Sequence, residues 1–517
     1  MPIKSQNVCS CDFLLFMLYE TATYGGIYMS QIKINNLSFY YDGSYDTIFQ
    51  DVSLVLDTDW KLGLLGRNGR GKTTFLKLLM KEYEYIGSIT SSVDFDYFPY
   101  PIKDSSLNTI DVIENIYPAY ELWKVCKELS LLYVDAEVLY RPFDTLSNGE
   151  QTKVLLSLLF TKENNFLLID EPTNHLDQNS REILMNYLNS KKGYILVSHD
   201  RYFLDGTIDH VLSINKNNID LVQGNFTSWW VNKKMQDEFE LNENEKLKKD
   251  IKRLSVSAER TKNWSDKIED SKIGSHSADR GFIGHKAAKM MKRSISIQNR
   301  IQSAIDEKEK LLKNIENAET LKLFPLTHYK DNIISIQNLS IEYDSKKVIC
   351  DLNFSIKNGQ RIVLKGKNGS GKSSVIKAIL DEISNYEGTI NKASGLEISY
   401  VSQDTSYLNG KLSEYASKNG LSETLFKALL RKLDFSRVQF EKNIEDFSGG
   451  QKKKVLLAKS LCEQAHLYIW DEPLNFIDVY SRMQVEELIL LHSPTMLFVE
   501  HDKYFTEKIA TDIIDLD

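Results

Sequence analysis

Two stretches of this chain have the composition and spacing of a phosphate cradle. GRNGRGKTT runs from Gly66 to Thr74, and GKNGSGKSS runs from Gly366 to Ser374. Gly66, Gly69 and Gly71, and again Gly366, Gly369 and Gly371, let backbone N–H groups turn inward around phosphate oxygens. The helix N-terminus that follows adds positive potential. Lys72 and Lys372 are placed to neutralise the outer phosphates. Thr73 and Ser373 are placed to ligate Mg²⁺, with Asn68, Asn368, Thr74 and Ser374 completing the loops. Further on, Asp170 and Asp471 end apolar runs, FLLID and LYIWD, where a carboxylate reaches the same metal. The next residues, Glu171 and Glu472, are positioned to orient or deprotonate an attacking water. His199 and His501 each follow another apolar run and are candidates for contact with a γ-phosphate.

These residues come in pairs because the chain repeats itself. LSNGEQ (146–151) recurs as FSGGQ (447–451), FLLIDEPTNHLD as LYIWDEPLNFID, VSHDRYF as VEHDKYF, and NLSFYYD as NLSIEYD. Order and separation agree in both halves, which identifies a tandem duplication. In each half a buried strand leads into the phosphate loop and then into a helix, and further short apolar runs follow. The expected module is α/β, a mostly parallel sheet with helices on both faces.

LSNGEQ and FSGGQ resemble the signature motif of ATP-binding-cassette ATPases, and the rest of each half agrees. The resemblance implies ATP and Mg²⁺, with two cassettes packed head to tail. Lys72 would share one ATP site with Ser448, Gly449, Gly450 and Gln451. Lys372 would share the other with Ser147, Asn148, Gly149 and Gln151. Tyr41 and Tyr343 match the aromatic that stacks on adenine, and Gln403 matches the glutamine that reaches the metal. The first half departs from the pattern: Tyr100 stands where that glutamine is expected, and Asn148 replaces a signature glycine. The two sites are therefore expected to hydrolyse at different rates.

A chain of 517 residues is long enough for two or three domains. Its net charge of −8 argues against a protein that coats nucleic acid throughout. No apolar run is long enough to cross a bilayer. Cys9, Cys11, Cys126, Cys350 and Cys462 are scattered, which suits a reduced, cytoplasmic protein. Residues 1–28 look unlike the rest and read as an extension before a native start at Met29, or as a disordered tail. Domain limits are then 29–224, 225–330 and 331–517.

The middle segment is different in charge. From Lys246 to Lys313 there are 18 Lys and Arg against 9 Asp and Glu, a formal +9 that leaves −17 for the remainder. Leu247, Ile251, Leu254 and Ala258 fall at 4-3-4 spacing, and Ile301, Ile305, Leu312 and Ile315 follow a similar seam. The turn-rich stretch 271–284 lies between them. An antiparallel helical hairpin is expected, with its tip there. A solvated spacer is the plainer reading, but it needs neither a tip aromatic nor a cationic excess. Arg280, His285, Lys286, Lys289, Lys292 and Arg293 suit RNA phosphates, and Phe282 suits an unstacked base.

Twin cassettes without membrane spans, joined by a basic helical linker, resemble the ABC-F family of ribosome-associated ATPases. GFIGHKAAKMMKRS and DEPLNFID resemble its antibiotic-resistance subgroup, which acts against lincosamides, streptogramin A and pleuromutilins. The resemblance implies a 70S ribosome partner, contacts to 23S rRNA and P-site tRNA in the exit site, no membrane and no stable homo-oligomer. An ATPase subunit of a drug exporter and a housekeeping translation factor are the rival readings.

Overall fold

The structure is a computed structural model. It describes residues 30–41, 47–174, 176–215, 218–270, 322–343 and 346–516, together with residues 289, 292, 295–296, 299–301 and 303. The extension 1–28 and Met29 lie outside the described residues.

The first cassette is built on a sheet of six strands, ordered Asp94–Phe98, Asn165–Asp170, Tyr194–Val197, Lys61–Leu65, His210–Ile214 and Ile219–Gln223. All neighbours are parallel except the last pair. The runs FLLI and YILV do not alternate because both of their faces are covered, and all eight residues are buried. Register places Asp170 beside Val197 and Phe98 beside Ile169, so the chemically equipped ends of these strands share one edge. That edge is where ligands of parallel α/β sheets bind. The phosphate loop leaves Lys61–Leu65 at the same edge and enters the helix Lys72–Leu79, whose Phe75, Leu76, Leu78 and Leu79 are fully buried. Gly71 caps this helix at φ 92°, and a Cβ there would lie 2.7 Å from Ile48 Cγ2, so glycine is required twice over. A small antiparallel sheet, Thr47–Asp57, Gln31–Tyr40 and Ile86–Thr90, ends next to Tyr41.

The second cassette repeats the plan. Five parallel strands run in the order Ile398–Val401, Leu467–Asp471, Met496–Val499, Arg361–Lys365 and Asp512–Asp515. A three-stranded antiparallel sheet orders Lys346–Lys357, Asn332–Tyr343 and Tyr386–Lys392. Each cassette carries a helical layer ending in a signature helix, Asn148–Leu159 or Gly449–Cys462. In the second half Phe426, Leu430, Leu433, Phe447 and Leu461 of that layer share one core with Trp470 and Phe498 of the sheet.

The two cassettes form one compact unit, and the stretch that begins at Ser228 belongs to another. A buried ion network crosses between the cassettes. Arg201, 6 % exposed, makes a bidentate contact with Glu486, which is 0 % exposed; one arm measures 3.2 Å. Asp502 lies 3.8 Å from Arg201, and Lys508 reaches Glu486 at 3.1 Å. Beside it Tyr202 and Tyr504 meet edge to face at 5.8 Å.

In the middle unit the helix Phe226–Asp270 has 45 residues, about 68 Å at 1.5 Å per residue. Leu247, Ile251 and Leu254 are half-buried while their immediate neighbours are exposed, the single apolar stripe expected from the spacing. Lys289 and Lys292 are helical and exposed. Arg280, Phe282, His285, Lys286, Arg293 and the hairpin tip lie outside the described residues, as does most of the return arm.

Glu486→Ala removes the shared partner of Arg201 and Lys508. Removing one partner of a buried ion pair costs about 3–5 kcal/mol, so the variant is expected to unfold at a clearly lower temperature in scanning calorimetry. The double variant Arg201→Met, Glu486→Met is expected to recover most of that loss.

Candidate active sites

Each cavity at the cassette interface draws one wall from either half. The first, about 940 Å³, is lined by the phosphate loop of the first cassette and by Ser448, Gly449, Gly450 and Gln451 of the second. The second, about 880 Å³, is lined by the opposite loop and by Ser147, Asn148 and Gly149. The halves touch directly at both. Asn68 Nδ2 donates to the Phe476 carbonyl at 3.2 Å beside the first cavity, and the Asn368 backbone N–H donates to Asp177 beside the second.

The signature serines open their helices with a capping box. Ser147 Oγ accepts from the Glu150 N–H and Glu150 Oε2 accepts from the Ser147 N–H at 2.8 Å; Ser448 and Gln451 do the same. Two helix N-termini, one from each half, thus face each cavity, an arrangement suited to a polyanion. Gly450 is needed because a Cβ would lie 2.7 Å from the Phe476 carbonyl oxygen. Gly449 has no neighbour closer than 3.9 Å to its would-be Cβ, which is why Asn148 is tolerated at the matching position.

In the first cavity Lys72, 9 % exposed, donates from Nζ to the Gly66 carbonyl at 2.8 Å and to Asn68 Oδ1 at 3.2 Å. Burial lowers its pKa against the pull of Asp478, Glu171 and Asp170. Thr73 Oγ1 donates to Asp170 Oδ2 at 3.0 Å. Burial raises Asp170, and that hydrogen bond offsets part of the rise. Glu171 lies at φ 52° and Glu472 at φ 49°, left-handed backbone that a glutamate adopts only when its surroundings hold it there. Their N–H groups donate to the Val197 and Val499 carbonyls at 2.9 and 3.0 Å. His199 Nε2 is 3.3 Å from Glu171 Oε1. Burial, with Asp170 adjacent, pushes Glu171 up to about 8, while burial and Lys72 hold His199 well below its usual value. Tyr41, which shares a hydrogen bond of 2.7 Å with Thr74, is 41 % exposed at the rim.

The second cavity is organised around Glu472. Gln403 Nε2 donates to Glu472 Oε2 at 3.0 Å, Asn475 Nδ2 donates to the same oxygen at 2.6 Å, and His501 Nε2 is 3.4 Å from Oε1. Burial pushes Glu472 upward, but His501, Lys453 and Lys372 outweigh it and hold the carboxyl below its ordinary value. Lys372 Nζ donates to the Gly366 and Lys367 carbonyls, each at 2.7 Å. Ser373 is hydrogen-bonded to Asp471, whose Oδ1 is buried with no hydrogen-bond partner among the described residues. An orphaned carboxylate oxygen beside a serine hydroxyl, with the Gln403 amide near, is the oxygen-rich donor set that Mg²⁺ takes. Tyr343, Asn368, Gly369, Gly371, Ser374 and His501 complete this wall, as Gly69, Gly71, Thr74 and His199 complete the other.

One expectation needs correction. Gln151 does not face its cavity: its Nε2 donates to the Phe143 and Leu146 carbonyls at 2.9 and 3.2 Å. The capping boxes show that Glu150, not Gln151, matches Gln451, because LSNGEQ carries its acidic residue one place earlier. Tyr100 does match Gln403 in register, each standing two residues past the strand end. Its hydroxyl, however, donates to Asp96 Oδ2 at 2.6 Å, and Lys162 binds the same oxygen while stacking over the rings of Tyr100 and Tyr117. Tyr97 faces the cavity instead and donates to Asp170 Oδ2 at 3.1 Å. Sequence reading also missed Asn475, although the asparagine recurs in DEPTN and DEPLN.

The ABC transporter family model matches residues 49–174 and 349–475. The ribosome protection protein VmlR of Bacillus subtilis is 28% identical over 488 residues, covering 92% of this chain and 85% of that one. The energy-dependent translational throttle protein EttA of Haemophilus influenzae is 26% identical over 524 residues, covering 90% and 89%. The fold is shared with the archaeal ribosome recycling factor aABCE1, solved with the ribosomal stalk protein aP1, at TM-score 0.61 and 18% identity over 93% of this chain and 87% of that one.

Tyr97→Phe removes a hydrogen bond from Asp170 and is expected to weaken Mg²⁺-dependent nucleotide binding at the first cavity by about fivefold, the worth of one such bond. Tyr100→Phe is expected to change it by less than about twofold. Titration with a fluorescent ATP analogue, in a chain whose second cavity carries Lys372→Ala, separates the two. Taken with the duplicated motifs and the interlocked cavities, these matches make the chain a tandem ATP-binding-cassette ATPase that hydrolyses ATP.

Proposed function

We propose that this ATPase protects ribosomes from drugs of the peptidyl-transferase centre, the lincosamide, streptogramin A and pleuromutilin classes. The observation that carries the reading is the pairing of two cavities, each walled by both cassettes, with a 45-residue helix, Phe226–Asp270, that leads into the stretch 246–313 and its formal charge of +9. The similarity to a named ribosome protection protein supports it. Among the described residues no helix is long and apolar enough to cross a membrane, so an exporter's ATPase subunit would need a separate membrane partner. In the reading favoured here the protein is a cytoplasmic partner of the 70S ribosome.

In this reading ATP binds between each phosphate loop and the opposite signature helix, with adenine against Tyr41 or Tyr343. Thr73 with Asp170, and Ser373 with Asp471 and Gln403, would hold Mg²⁺, which when bound offsets phosphate charge. Glu171 and Glu472 orient or deprotonate the attacking water, and His199 and His501 lie beside them at the γ-phosphate end. Closure of the cassettes fixes the pose of the linker in the exit site. Its tip, with Arg280, Phe282, His285, Lys286 and Arg293, shifts P-site tRNA and nearby 23S rRNA so that drug leaves; Lys289 and Lys292 face phosphates on the approach. Hydrolysis opens the sandwich and releases the protein. The similarity to a translational throttle protein favours a second reading, a factor acting on ribosomes without drug.

The double variant Glu171→Gln, Glu472→Gln is expected to co-sediment with 70S particles in ATP; migration apart from ribosomes would refute the closure step. Expression in a susceptible host is expected to raise the inhibitory concentrations of lincomycin, tiamulin and virginiamycin M. Deletion of residues 272–285 is expected to abolish that gain while nucleotide binding persists. Unchanged inhibitory concentrations on expression would favour the drug-independent factor.

A further inference from the structure

One buried carboxylate near the second cavity has no counterpart in the other half. Glu500, 8 % exposed, stands where the first cassette has Ser198. The position it touches differs too, Leu474 standing for Thr173. In the first cassette the two hydroxyls meet, Thr173 Oγ1 lying 3.1 Å from Ser198 Oγ. In the second, Glu500 replaces that contact by reaching backbone. Its Oε1 accepts from the Leu474 N–H at 2.8 Å and its Oε2 from the His501 N–H at 3.3 Å. The two changes belong together. Each version ties the end of the strand before the histidine to the loop after the catalytic glutamate, once through a pair of hydroxyls and once through a carboxyl that accepts from two backbone N–H groups.

The loop held by Glu500 has two further attachments. Asn475 donates to Glu472 at 2.6 Å, and the Phe476 carbonyl, on a residue at φ 63°, accepts from Asn68 of the first cassette. We propose that Glu500 is a positioning residue for ATP hydrolysis at the second cavity. By gripping Leu474 and His501 through their backbones, it lets Asn475 and His501 present Glu472 to the water, and it keeps the same loop seated on the opposite phosphate loop. It touches neither nucleotide nor water and acts only through these neighbours. The inference rests on the assignment of Glu472 as the base.

The test uses the full chain carrying Glu171→Gln, so that turnover reports the second cavity alone. Glu500→Ala is expected to lower kcat by about 10- to 100-fold, the range set by small displacements of a reacting group. Affinity for the ATP analogue should stay within about twofold, which a merely structural defect would not spare. Glu500→Ser with Leu474→Thr, which installs the pair of the first cassette, is expected to restore kcat to within about threefold of the parent. Three results would overturn the proposal: full turnover in Glu500→Ala, a double variant as slow as Glu500→Ala, or kcat and binding falling together with the folded fraction. Glu472→Gln runs in parallel. If it keeps turnover, the assignment of the base fails and this inference with it; if it is inactive while Glu500→Ala is not, only the tie fails.

Discussion

The N-terminus of the helix Lys72–Leu79 and that of Gly449–Cys462 face one cavity from opposite cassettes, and the rest of the structure depends on bringing these two positive ends to the same anion. Each phosphate loop lines only one wall of its cavity, and the other cassette supplies the opposite one. Sharing the cavities makes each cassette incomplete alone and ties chemistry to the relative position of the halves. The parallel sheets supply rigidity at the edge where Asp170 and Asp471 emerge. The left-handed glutamates are affordable because the strands beside them accept their N–H groups.

Much of this was legible in the chain. Buried runs such as FLLI and YILV gave the strands, and the paired phosphate loops gave the sites, because steric and electrostatic demands there leave few residue choices. The half-buried stripe Leu247, Ile251 and Leu254 followed directly from 4-3 spacing. Letter identity misled at one position. Gln151 shares a letter with Gln451 but not a helical position. Tyr100 occupies the right place in register, yet Asp96 and Lys162 turn it aside, and no local pattern reveals that Lys162 lies within reach. Contacts between residues distant in sequence decide such cases. The tip residues around Phe282 lie outside the described residues, so their reading still rests on composition.

The duplicated halves have also diverged in how they hold the same chemistry. The first sets Glu171 beside His199, with Tyr97 on the aspartate, and its carboxyl is pushed up by burial. The second surrounds Glu472 with an amide from Gln403, another from Asn475 and the His501 ring. Two sites of common ancestry therefore present their water to differently solvated bases.

The ion network between the cassettes is just as lopsided. Arg201 finds a sealed carboxylate in Glu486, whereas its pseudo-symmetric mate Lys503 meets Glu182 at 3.7 Å with both side chains partly in water, and Met185 stands where Glu486 would be. Dissolved salt screens the wet pair and scarcely reaches the dry one. Ionic strength thus acts more strongly on the Lys503–Glu182 contact than on the Arg201–Glu486 one, so two halves descended from equal copies answer the same solvent unequally at matching positions.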